Sequence, residues 1–273
     1  MRSNNINMGE IIPADKKENM LPFIKDNFNK LSEREMARRL NIGKTSVNRW
    51  CKELGLFHKR YTANENFFSK WNSVMAYVLG YIFADGNINW NPEKCYRSLT
   101  ITAAEKDRCH LEKIRLITKN TKPLLYSIST KSYRFIINNK TICKDLMKLG
   151  ITPRKSLTVK FPFVPEKFLR HFIRGVIDGD GSVRYNKRER SPYFEITICS
   201  GSESFLKVMA DKISKQGINA TVRVNKNGVY ILQYSCKRGM KLAKWIYSNG
   251  PICLERKREQ YKTALNAGGC HAP

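Results

Sequence analysis

"VLGYIFADGNI", residues 78–88, and "IRGVIDGDGSV", residues 173–183, are two copies of one pattern. Asp85 and Asp180 lie 95 positions apart, and the same offset superposes Gly80 on Gly175, Ile82 on Ile177, Gly86 on Gly181 and Thr102 on Thr197. Each stretch reads as an apolar helix that ends on an aspartate. The C-terminus of a helix is the negative end of its dipole, so a carboxylate there costs about 0.3–1 kcal/mol unless a cation compensates it. Gly80 and Ala84 share one helix face, as do Gly175 and Gly179. Small residues at that spacing let two helix backbones approach closely. If the two helices pack along these faces, Asp85 ends beside Asp180. Two carboxylates with the terminal carbonyls of Ala84 and Gly179 then form an oxygen-only pocket, which suits hard Mg²⁺ rather than zinc. Turn chemistry alone explains one Asp-Gly. It explains less well two copies, each preceded by a small-residue face.

Working outward, each copy opens a similar succession. Extended runs "NINW" and "RSLTITAA" follow the first motif, and "SVRYNKR" and "YFEITICS" follow the second. A helical stretch comes next, "DRCHLEKIRLITK" or "SESFLKVMADKISKQG", then two more strands, "LLYSIST" and "YRFIINN" against "ATVRVNK" and "VYILQYS". The last pair meets at Asn227-Gly228, a hairpin signal. "TICKDLMKLG" and "GMKLAKWIYSNG" close the copies as helices. The order predicts a duplicated αββαββα unit of the α+β class with antiparallel sheets, over residues 63–160 and 161–273.

The chain of 273 residues carries 50 Lys and Arg against 23 Asp and Glu, a net charge of +27. This balance favours a polyanion, either nucleic acid or an anionic membrane. The longest apolar run, "VMAYVLGYIFA", is about half of the roughly 20 residues a spanning helix needs. "MRSNNINMGE" lacks the apolar core of a signal peptide. The eight cysteines include no CxxC pair, which predicts reduced thiols, most of them small core residues, in an intracellular protein. Cytoplasm, bacterial or phage-infected, and an organelle matrix all satisfy that reading.

Residues 1–62 read as short helices with a linker, "HKRYTANEN", at their end. "LPFIKDNFNKL" precedes "SEREMARRLNIGKTSVNRWCKELGL". Ser32 with Glu35 forms a capping-box pattern, "NIG" breaks the helix, and Thr45 caps the next one. Met36, Leu40, Val47, Trp50 and Leu54 supply the joining apolar face. Lys44, Thr45, Ser46, Asn48, Arg49 and Lys52 are left for a DNA groove, the outline of a helix-turn-helix.

The two motifs resemble those of LAGLIDADG homing endonucleases in their monomeric, two-motif form. The resemblance covers about residues 70–262 and includes "PRKSLTVKFPF" and "CLERKREQY". It implies a pseudo-twofold fold in which the motif helices form the central seam and the two sheets form a saddle over the DNA major groove. It also implies a site-specific endonuclease that cuts both strands of a long, asymmetric site with 3′ overhangs, using Mg²⁺, with Mn²⁺ able to substitute. Asp85 and Asp180 take the metal-holding role. Phe83 departs from the acidic residue usual at its position, which Asp178 keeps.

The family's late basic residues fall on Lys155 and Lys257, and its variable water-ordering positions on Glu105 and Ser200. Polar residues alternating along the strands offer base or phosphate contacts: Asn87, Asn89, Arg97, Arg134, Arg184, Asn186, Arg188, Arg223 and Gln233. The rival function on this scaffold is a binding protein, either a maturase acting on its own intron RNA or a transcription regulator. An intein is disfavoured by the lack of an initial Cys or Ser and by the "GGCHAP" ending.

Overall fold

The computed structural model describes residues 12–57, 61–91, 96–153, 159–187, 192–225 and 227–268. The chain forms two compact units, Met1–Arg60 and Tyr61–Pro273.

The first unit contains α1 (Ala14–Asn27), α2 (Glu33–Leu40) and α3 (Lys44–Glu53). Ile24, Phe28, Met36, Val47 and Trp50 form its core. The Ser32 hydroxyl accepts the Glu35 N–H at 3.2 Å, which caps α2. The reciprocal half of the expected capping box is not made. Arg38 and Arg39 take the Glu35 carboxylate instead, at 2.8 and 2.9 Å, and their hydrogen bonds hold its pKa down to about 2. Asn41, at φ 53°, ends α2 in the left-handed region. The cap of α3 is Gly43, extended at φ −67° and ψ 140°, so Thr45 falls in the first turn rather than at the predicted cap.

The second unit holds the duplication. Its first half runs α4 (Ser73–Asp85), β1 (Gly86–Asn91), β2 (Tyr96–Ala104), a short 3₁₀ turn (Glu105–Asp107), α5 (Arg108–Ile117), β3 (Leu125–Ser127), β4 (Ser132–Ile137) and α6 (Lys140–Lys148). The second half runs α7 (Glu166–Asp180), β5 (Gly181–Asn186), β6 (Tyr193–Ser200), α8 (Glu203–Ser214), β7 (Val222–Val224), β8 (Tyr230–Ser235) and α9 (Cys236–Tyr247). A further helix, α10 (Glu255–Asn266), follows the last expected element. The sheets are antiparallel, ordered β1-β2-β4-β3 and β5-β6-β8-β7. The expected hairpin turn closes β7 onto β8 with Gly228 at φ 74°, and the Asn225 side chain accepts the N–H groups of Asn227 and Val229.

Alternation decides the sheet faces. Ile88, Leu99, Ile101, Phe135 and Ile137 point into the core of the first half, and Val183, Phe194, Ile196, Ile198 and Leu232 into that of the second. Part of the expected linker is anchored: Asn64 N–H donates to Thr118 O at 2.9 Å, and Thr121 N–H donates to Thr62 O at 2.9 Å. Of the described cysteines, Cys51, Cys143 and Cys253 are buried, whereas Cys109 and Cys199 are exposed. No helix among the described residues is long and apolar enough to cross a membrane.

Candidate active site at the helix seam

The motif helices α4 and α7 pack backbone against backbone. A Cβ on Gly80 would lie 2.0 Å from Phe172 O, and one on Gly175 would lie 2.1 Å from Tyr77 O. Only glycine fits at either crossing point. Further along, a Cβ on Gly179 would meet Ala84 Cβ at 2.3 Å and Asp85 Oδ2 at 3.3 Å. The carboxylate of Asp85 therefore overlies the residue next to Asp180, and the helix ends meet as the sequence expected. Asp85 is half-buried and Asp180 exposed. A cavity of about 350 Å³ beside the seam is lined by Ala84, Asp180 and Ser200, with Phe83, Val176 and Phe205 as its apolar wall.

The positive charge demanded by the helix ends is partly internal. Lys257 on α10 is 4% exposed, and its Nζ donates to the carbonyls of Ile177 at 2.8 Å, Asp178 at 2.7 Å and Gly179 at 3.3 Å. A fourth contact reaches Gly181 O. Burial pushes its pKa down to about 8, against the opposing charges of Asp178, Asp85 and Asp107. By the resemblance this ammonium would polarise the scissile phosphate or orient the attacking water. The structure sets it under the end of α7, where its donors reach the carbonyls of the last turn, two of which, Asp178 O and Gly179 O, lie among those a helix end leaves without an intrahelical partner.

Beneath the second motif lies a buried polar network. The Asp178 carboxylate accepts from Tyr77 Oη at 2.8 Å, Tyr247 Oη at 2.8 Å and the Leu254 N–H at 2.7 Å. Burial raises its pKa, and those three donors oppose the rise. The Tyr77 hydroxyl spends its one hydrogen on Asp178, so His110 Nε2, 2.9 Å away, carries a hydrogen and donates to the tyrosine oxygen. Burial drives the pKa of His110 down to about 4. Arg174 lies over the Tyr77 ring and donates to Ile252 O at 2.9 Å and Ile246 O at 2.7 Å. Gly250 leaves it room, since a Cβ there would lie 2.4 Å from the guanidinium carbon. Phe83, at the equivalent position of the first motif, instead packs on Phe172 and Phe205. Sequence reading missed Tyr77, Tyr247 and the Arg256 bridge. Arg256 on α10 grips Asp107 of the first half through two bonds of 2.7 and 2.8 Å. Burial raises the Asp107 pKa, but the hydrogen bonds and charge of Arg256 outweigh it and the net shift is downward.

Among the remaining expected positions, Ser200 shares the cavity with Asp180, and its hydroxyl accepts the Ser202 N–H at 3.0 Å. Glu105 is exposed at the start of the 3₁₀ turn. Lys155 and Arg188 lie outside the described residues.

On the outward sheet faces, Asn87 bonds Asn89 at 2.9 Å and Asn89 bonds Thr100 at 3.3 Å, with Arg134 exposed beyond. In the second sheet Arg184, Asn186, Arg223 and Gln233 share the outward parity. Arg97 does not belong to this set. Its register pairs it with Trp90, on the parity of the core residues Ile88, Leu99 and Ile101, and its guanidinium stacks on the Trp90 ring at 4.9 Å.

In the first unit the expected DNA contacts are partly engaged by acids. Asn48 donates to Glu33 at 3.0 Å and Lys44 lies 3.6 Å from the same carboxylate, while Arg49 sits 3.9 Å from Glu53. Thr45 and Lys52 are exposed and Ser46 is half-buried.

Residues 167–247 match the family described as the LAGLIDADG-like domain. The fold is the LAGLIDADG fold. An α+β unit with two antiparallel four-stranded sheets and seam helices is similar to the LAGLIDADG meganuclease I-AabMI bound to uncleaved DNA, with a TM-score of 0.51 and 14% identity over 70% of this chain and 90% of that one. It is similar to I-DmoI in complex with DNA and Ca, with a TM-score of 0.50 and 16% identity over 75% and 99% of the two chains. In sequence, an uncharacterized protein of Methanocaldococcus jannaschii is 24% identical over 199 residues, 70% of this chain. The chain spans 65% of that relative's length, less than two thirds.

Proposed function

We propose that this chain is a site-specific endonuclease that hydrolyses both strands of double-stranded DNA. The observation that carries the reading is the convergence of the two motif aspartates at one end of a glycine-locked seam. The donor set there is all oxygen, the carboxylates of Asp85 and Asp180 with the terminal carbonyl of Ala84, that of Gly179 being engaged by Lys257 at 3.3 Å, and it fits a hard divalent cation, Mg²⁺ with Mn²⁺ as substitute. Such a cation activates water and stabilises the departing oxygen of a phosphodiester.

The chain's own residues hold this end of the molecule together. The seam fixes the spacing of the two aspartates, and Lys257 neutralises the end of α7. Ser200 offers a hydroxyl beside Asp180 that could orient water. The outward faces of the two sheets, continuous with the motif ends through β1 and β5, supply the DNA surface, and the net charge of +27 draws the phosphates to it. By the family resemblance the cut leaves 3′ overhangs, the enzyme acts as a monomer inside the cell, and its gene lies within a mobile intron or stands free. The three-helix first unit extends the footprint as a helix-turn-helix, with α3 presented to DNA.

The test is selection of cleaved duplexes from a randomised library, with Mg²⁺ and with EDTA. A discrete Mg²⁺-dependent cut that is lost in both Asp85→Asn and Asp180→Asn is expected. Specific binding without cleavage in any divalent ion would move the assignment to a maturase or regulator on the same scaffold.

A further inference from the structure

The outward face of the second sheet carries a carboxylate. Glu195 sits on β6 between Phe194 and Ile196, both 0% exposed, so its side chain takes the opposite face, paired in register with Arg184 on β5 and Ser235 on β8. Its Oε1 accepts the Thr197 hydroxyl at 3.1 Å, and its Oε2 accepts the Gln233 amide nitrogen. Gln233 in turn accepts an Arg223 N–H through its amide oxygen. Thr197, Glu195, Gln233 and Arg223 thus form one hydrogen-bonded row across β6, β8 and β7. The row fixes which way the Gln233 amide points. The offset of 95 puts Thr100 at the matching place in the first sheet, whose described outward residues Asn87, Asn89, Thr100, Thr102 and Arg134 include no acid.

An acid on a surface meant for a polyanion is repelled by phosphates and needs another partner. A carboxylate accepts about four hydrogen bonds, and the row uses two. In the major groove the cytosine edge offers an amino donor. Adenine sets the N7 acceptor beside its donor, and guanine and thymine present acceptors at the matching place.

We propose that Glu195 is a specificity-determining residue that accepts a hydrogen bond from the N4 amino group of a cytosine in the half-site covered by the second sheet. Gln233 and Arg223 are aligned by it to read the neighbouring pairs. The inference rests on the DNA reading above.

The experiment is a binding selection, independent of cutting. The full chain, its Glu195→Ala variant and its Gln233→Ala variant are each incubated in Ca²⁺ with a randomised duplex library, and the bound sequences are read. The wild type is expected to enrich one C·G pair in one half-site by about tenfold or more. Glu195→Ala loses that preference and weakens, without abolishing, those at the neighbouring pairs, and Gln233→Ala changes a neighbouring pair while the C·G preference stays. A Glu195→Ala profile equal to the wild type overturns the proposal. So does the collapse of the whole half-site, which would make Glu195 only a holder of Gln233 and Arg223. A wild type that enriches no sequence overturns the DNA reading itself together with this one.

Discussion

The two halves of the duplicated unit are alike where the motif helices touch and unlike just beneath. At the seam, Gly80 and Gly175 play the same part, each admitting a carbonyl of the other helix. One residue before the last small position, the halves part. Phe83 closes the first half with ring contacts, while Asp178 closes the second with three donors and two nearby cations, Arg174 and Lys257. The difference shows what a repeated scaffold tolerates. A core position accepts an apolar side chain, or an acid whose partners are all supplied, because a buried polar group is costly only when unsatisfied. Tyr247, Leu254 and Lys257 arrive from the chain after β8, while Tyr77 comes from α4 and Arg174 from α7 itself.

The sharpest way to break this comparison is to truncate both positions. Asp178→Ala leaves three buried donors without their acceptor and two buried cations without their counter-charge and is expected to destabilise by roughly 3–5 kcal/mol, whereas Phe83→Leu costs about 1 kcal/mol. Denaturant titration of both variants measures the contrast, and equal losses would mean that the network is not what holds the second half. Next, the likeness of the seam predicts that Gly80→Ala and Gly175→Ala each lose about 3 kcal/mol, because the added methyl meets backbone that no rotamer change can clear. A loss in one variant only would make the packing unsymmetrical.

The smallest effect is one of pH. His110 and His171 have folded pKa values pushed down to about 4 from the ordinary 6.5, in both cases chiefly by burial. The unfolded chain therefore binds more protons between those values, so their contribution to stability is complete above pH 6.5 and is lost as pH falls toward 4. Melting temperatures across that window should fall on acidification, and less steeply in His110→Gln. An unchanged slope would show that His110 is not buried as the neutral base.

How far these features were legible in the sequence differed with their range. The offset of 95 between Asp85 and Asp180, the small faces beside them, the strand alternation and the Asn-Gly turn are local patterns, and, Arg97 apart, each set its element or face correctly. Arg97 was misplaced because parity depends on where β2 begins its pairing, which only the register with Trp90 reveals. Thr45 was misplaced as a cap because Gly43 supplies the extended backbone two residues earlier.

The sequence by itself determined that two like halves would bring two aspartates to one end of a tight helix pair, since periodicity and residue size are written in neighbouring letters. Only the tertiary structure decided what surrounds them. Lys257 reaches Asp178 O from 79 positions away, Tyr77 meets Asp178 across 101, and Arg256 bridges to Asp107 across 149. Such partners are chosen by how helices dock, and no local pattern of charge or hydropathy encodes a docking distance. The same holds for Glu195, an ordinary acid in a strand until its neighbours in three strands give it a direction.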